Sequence, residues 1–153
     1  MPTLWRPEAR ARLRRRLDSL GPDSAPRWGR FTAPQMLAHL TASLRMAIGE
    51  LPVAARPVPA FLRHAPFKQF AVYLMPFPKG LPTAPELLAR PLGIAPAEWA
   101  GERAAFDAAL ERFAGRKRDR TWPAHPAFGP LAARAWGVLQ YRHIDHHCRQ
   151  FGV

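Results

Sequence analysis

His143 and His147 stand four residues apart in the run Tyr-Arg-His-Ile-Asp-His-His-Cys-Arg-Gln at 141–150. On a helix, residues at i and i+4 lie one above the other, so both imidazoles can face a single centre. That spacing suits a metal ion. A third histidine, His39, sits in an earlier amphipathic segment at 32–40 and completes a three-nitrogen site if the two helices pack together. Three protein ligands leave coordination positions free, the pattern of a working metal rather than a structural one.

Trp136, Leu139, His143, His147 and Gln150 recur at three- and four-residue steps, so the histidines continue a stripe that begins as hydrophobic core. Burying an imidazolium there is costly, whereas a neutral ring bound to a cation has its lone pair satisfied. The competing reading is a set of core histidines hydrogen-bonded to their neighbours. A zinc-protease helix is excluded, because its general-base Glu follows the first ligand and Ile144 stands there instead. Asp145 is no substitute, since two residues along a helix is about 200° of rotation. His146 borders the ligand face, as a substrate contact or a partly exposed side chain.

A chain of 153 residues is expected to form one domain, 1–153, with a real core. A single cysteine, Cys148, excludes an intramolecular disulfide framework. Nothing near Met1 reads as a signal peptide, and the longest apolar stretch, 70–75, is too short to span a bilayer. The expectation is a soluble, cytoplasmic protein without a membrane partner. The net charge of +12 raises nucleic acid as a partner, but it comes from 20 Arg against 3 Lys, scattered through an Ala- and Pro-rich chain. Only 10–16 and 116–120 form basic clusters, and neither matches a nucleic-acid motif. In the first, Leu13, Leu17 and Leu20 make an apolar stripe, so its arginines read as the solvated face of a packed helix. Nucleic acid is disfavoured, and a non-enzymatic basic interaction protein stands as the rival to a metal site.

The elements that must position the histidines follow from caps and periodicity. A first helix runs from near Pro7 to the Gly21-Pro22 stop. After a loop at 23–30, Thr32-x-x-Gln35 reads as a capping box that launches a second helix. Leu37, Leu40, Leu44, Ala47 and Ile48 form its buried stripe, His39 lies beside that stripe, and Gly49 ends the element. Prolines make 51–59 irregular. A third helix is expected over 60–75, begun or split by Pro66, with Phe67, Phe70, Ala71 and Leu74 inward. An extended loop at 76–83 precedes a second capping-box spacing, Thr83 to Glu86, and a short turn stopped by Pro91. Pro96 opens a helix whose Trp99, Arg103, Phe106, Leu110 and Phe113 share a face and whose end is capped by Gly115. The last helix spans about 131–151. No alternating strand pattern appears, so the expected fold is an all-α, four-helix bundle, whose interior is where facing helices build metal sites.

Four segments together resemble the DinB-like superfamily, in its branch with a His-Pro-x-Phe-Gly motif before the last helix: 31–40, 76–83, 125–131 and Trp136 leading into 141–152. The resemblance implies a four-helix bundle in which one histidine of the second helix and two of the last bind a divalent metal, zinc or nickel. Carried over residue by residue, these are His39, His143 and His147. It further implies a small-molecule substrate and, as in some relatives, metal-dependent transfer of a low-molecular-weight thiol, with hydrolysis as the other option; many relatives form homodimers. An open metal position would lower the pKa of a bound thiol or water.

The remaining candidates have plainer readings. Arg142 and Arg149 are expected to be solvated rather than to hold a carboxylate. Cys148 points about 100° away from its neighbour His147 and reads as packing. Prolines around His125 favour a rigid loop that sets up the last helix, and its other reading is a residue of the pocket; it is left out of the metal set.

Overall fold

The computed structural model describes residues 1–80, 83–88, 99–119 and 121–153. The expected stop at Pro91, the helix opening at Pro96, Leu81 and Pro82 of the 76–83 loop, and Arg120 of the basic cluster lie outside these residues. The described chain is all-helical: α1 Pro7–Asp18, α2 Ala33–Ala47, α3 Phe67–Tyr73, α4 Trp99–Gly115 and α5 Ala133–Gln150, with short 3-10 turns at Ala60–Arg63, Pro85–Leu87 and Arg116–Arg118. Among the described residues the only strand-like pairing is one isolated antiparallel bridge between His125 and Gly129.

α2 is the central element. Thr32 accepts from the Gln35 amide while the Gln35 side chain accepts from the Thr32 amide, closing the capping box, and Pro34 occupies the first turn, where its missing N–H has no partner to lose. Every α2 residue except Thr41 and Arg45 is buried, so the helix is enclosed nearly all round rather than along one stripe. It packs on both α4 and α5, while α1 and α3 each pack on α5. Gly49, at φ +80°, supplies the left-handed step that ends α2.

α1 buries Leu13 and Leu17 with Leu20 just beyond its end, as the stripe predicts. Its arginines are not simply solvated. Arg14 pairs with Asp107 and Glu111 on α4, Arg16 with Asp145 on α5, and Arg12 donates to the Tyr141 hydroxyl. This basic run ties α1 to two helices.

The aromatic residues of α3 depart from expectation. Phe67, Phe70 and Leu74 are 52%, 54% and 63% exposed, and only Ala71 and Val72 of that helix are buried. The 60–75 segment is split into a 3-10 turn and a seven-residue helix, too short to lay a stripe along a neighbour. It meets α5 through its carbonyls instead: Arg142 donates to those of Ala71, Val72 and Met75. Arg142 is therefore a structural tie, not a solvated side chain. Gly115 also departs, sitting at φ −60° and ψ −29°, so the chain continues right-handed into Arg116–Arg118 rather than turning off. The spacing Thr83 to Glu86 makes no capping box, because Glu86 accepts from the Ala54 amide and no side chain caps that turn.

The N-terminal segment is clamped over the start of α5. The Leu4 amide donates to the Gly137 carbonyl, Trp5 Nε1 donates to the Ala133 carbonyl, and the indole stacks on Phe113 at 4.8 Å. A Cβ on Gly137 would overlap the Trp5 indole and come within 2.5 Å of Thr3 Oγ1. Helix propensity favours Gly137→Ala by about 1 kcal/mol, but overpacking costs about 1–3 kcal/mol. Packing should win, and chemical denaturation should show a net loss of about 1 kcal/mol; a stabilised variant would contradict the close approach.

Candidate metal centre

α2 and α5 bring the three sequence-predicted histidines together. His39 Nε2 lies 3.0 Å from His143 Nε2, and His147 Nε2 lies 3.2 Å from the same atom. The three ligand atoms all fall within 4.8 Å of one another, close enough to hold one ion. With metal–nitrogen bonds of about 2.1 Å, nitrogen pairs stand about 3.0 Å apart at right angles and about 3.4 Å apart at the tetrahedral angle. Both separations sit in that interval.

The opposite edge of each ring is engaged. His39 Nδ1 faces the Leu87 carbonyl at 3.2 Å, and His147 Nδ1 faces Gln150 Oε1 at 2.7 Å. Both partners accept, so each Nδ1 carries the proton and each Nε2 presents a lone pair. Gln150 is held in that sense because its Nε2 donates to the Trp28 carbonyl at 2.8 Å. Gly29, at φ +82°, lets the loop come this near, since a Cβ there would lie 2.5 Å from Gln150 Nε2. His143 Nδ1 meets Ser43 Oγ at 3.2 Å, and Ser43 is bonded in turn to Gln140. Two lone pairs therefore converge on His143 Nε2, which has at most one proton to share. A cation satisfies all three, and acceptors behind the rings are the usual support of metal-bound imidazoles.

Electrostatics point the same way. Burial, aided by the neighbouring histidines, holds His143 well below the ordinary histidine pKa; burial lowers His39, and burial first and His39 second push His147 down to about 3. All three rings are neutral near pH 7, as ligation requires.

The centre opens into a cavity of about 600 Å³ with mainly apolar walls. Phe31 stacks on His39 at 5.2 Å and Phe77 on His143 at 5.6 Å. His146 lines the cavity between Trp28 and Phe77 and stays outside the ligand cluster. Cys148 is fully buried and burial raises its thiol to about 11, which suits packing and not nucleophilic attack. Asp145 is turned away and paired with Arg16 and Arg149. His64 is exposed and stays outside the cluster.

His125 is both a loop anchor and a cavity residue. Its amide and carbonyl pair with those of Gly129, which takes a left-handed φ of +69°, and its Nδ1 accepts from the amides of Ala127 at 3.1 Å and Phe128 at 3.3 Å. Burial lowers its pKa to about 4. An unfolded histidine takes up its proton near pH 6.5, so between about 6.5 and 4 the unfolded chain binds more protons and stability falls as pH falls. The loss is at most about 3 kcal/mol. His125→Asn should lessen the slope of the stability profile of the metal-free protein across this window, the other buried histidines keeping the rest, and an unchanged slope would contradict the buried neutral ring.

Compared with models of known protein families, with curated proteins and with solved structures, the chain matches none. The chemistry of this centre rests on its geometry.

Proposed function

We propose that this chain is a DinB-like metalloprotein, a four-helix bundle in which His39, His143 and His147 bind one divalent ion, zinc or nickel, and the open coordination positions face a small-molecule cavity. The observation that carries the reading is the convergence of three Nε2 atoms whose Nδ1 edges are already engaged. The ion would supply a Lewis acid that lowers the pKa of a bound thiol or water. The protein's own residues hold the ring tautomers, exclude bulk water with Phe31 and Phe77, and offer apolar walls to the substrate. The activity we favour is metal-dependent transfer of a low-molecular-weight thiol, with hydrolysis second.

The rival, a basic interaction protein with core histidines, has less support, because Arg12, Arg14 and Arg16 are engaged by Tyr141 and by carboxylates. No described helix is long and apolar enough to cross a membrane. The test is thioether formation from glutathione and a small epoxide by zinc-loaded and metal-free protein. A zinc-dependent rate lost in His143→Ala supports the transferase reading; equal rates with and without zinc contradict it.

A further inference from the structure

We infer that His125 is a polar handle of the cavity, an Nε2–H donor that receives a carbonyl or carboxylate oxygen of an otherwise apolar, aryl-bearing substrate. The inference rests on the cavity being the substrate site of the proposed metal centre.

The proton's position follows from the loop. Nδ1 accepts from two backbone amides, so it carries no hydrogen, and a neutral ring must then hold its proton on Nε2. Burial keeps the ring neutral. No described residue accepts from that Nε2, although His125 lines the same cavity as the three clustered histidines. The ring cannot swing to find another partner. It is stacked on Phe128 at 4.8 Å, packed on Trp136 at 5.3 Å, and tethered by the 125–129 backbone pair. A donor that faces an apolar pocket with no described residue to accept from it is free to bond a ligand oxygen, and sites built to bond one oxygen select for it.

The chemistry that fits is an oxygen acceptor attached to an apolar body. Phe31, Phe77 and Phe128 supply flat faces for an aryl group. A simple alkanethiol carries no such oxygen, so His125 should discriminate an acid from an alkanethiol of matched length.

The experiment uses the zinc-loaded protein, tag-free, and two probe series of matched length: benzoate through 4-phenylbutanoate, and the corresponding phenylalkanethiols. His125→Asn keeps an acceptor for the Ala127 and Phe128 amides and removes the cavity donor; His125→Gln places an amide N–H near the lost position. At least one acid should bind the wild type and shift the His125 Nε2–H resonance. His125→Asn should weaken that acid about tenfold, the size of one hydrogen bond, while thiol affinity and zinc content hold and His125→Gln recovers part of the loss. No acid bound, acid affinity unchanged in His125→Asn, or acids and thiols weakened alike would each overturn the assignment. Failure of the wild type to take up zinc would be seen before any probe is added; it would sink the metal reading and this inference with it.

Discussion

His39→Ala should abolish the rise in melting temperature that zinc gives the wild-type protein. At free zinc about a thousand times the dissociation constant, binding to the folded state alone adds about 4 kcal/mol, on the order of 10 °C for a chain of this size. His39 is the only histidine that α2 brings to the cluster, and its Nε2 faces that of His143 on α5 at 3.0 Å, so its loss would remove the link between the two helices at a bound ion. His143→Ala and His147→Ala should behave alike. His64→Ala, an exposed site, should keep the full response, and His146→Ala should keep zinc occupancy while changing ligand affinity. Core histidines that bind nothing would alter the zinc-free melting point and leave no metal-dependent shift to lose. Retention of the full zinc response by His39→Ala would show that α2 contributes no ligand.

Trp136→Ala should be the most destabilising of the substitutions considered, by about 3–5 kcal/mol in urea unfolding of the metal-free protein. The side chain is fully buried, donates from Nε1 to the Pro123 carbonyl at 3.2 Å, and packs on Trp122 and His125. Its removal leaves a cavity between the 122–129 loop and α5. It should also free the His125 ring, so acid binding in the cavity should weaken along with stability. A loss below about 1 kcal/mol would mean that the loop collapses onto α5 without strain.

The parts of this protein that were legible in its sequence are those determined by local chemistry. The Thr32–Gln35 capping box, Pro7 at the start of α1 and the i, i+4 histidine pair each involve neighbours in sequence, and each stands as expected. The pairing of His39 with them depended on α2 and α5 packing together, which the stripes implied and the helices fulfil. What could not be read is set by contacts distant in sequence. Leu87, 48 residues from His39, supplies its acceptor, and Trp28 holds Gln150 from 122 residues away. Arg142 carries no sign in its spacing that it would bond the end of α3. Ser43 was within reach: it lies one turn beyond His39 on the same helix and so had to face the same side. The exposed aromatics of α3 defeat periodicity because a two-turn helix has no long face to bury.

The most direct test of the metal centre is zinc-edge X-ray absorption on tag-free protein reconstituted with one zinc per chain. The spectrum should show three imidazole nitrogens at about 2.0–2.1 Å with light-atom solvent completing the shell, falling to two imidazoles or to no bound zinc in His147→Ala. A first shell without imidazole scattering, a sulfur ligand from Cys148, or a spectrum unchanged in His147→Ala would contradict it.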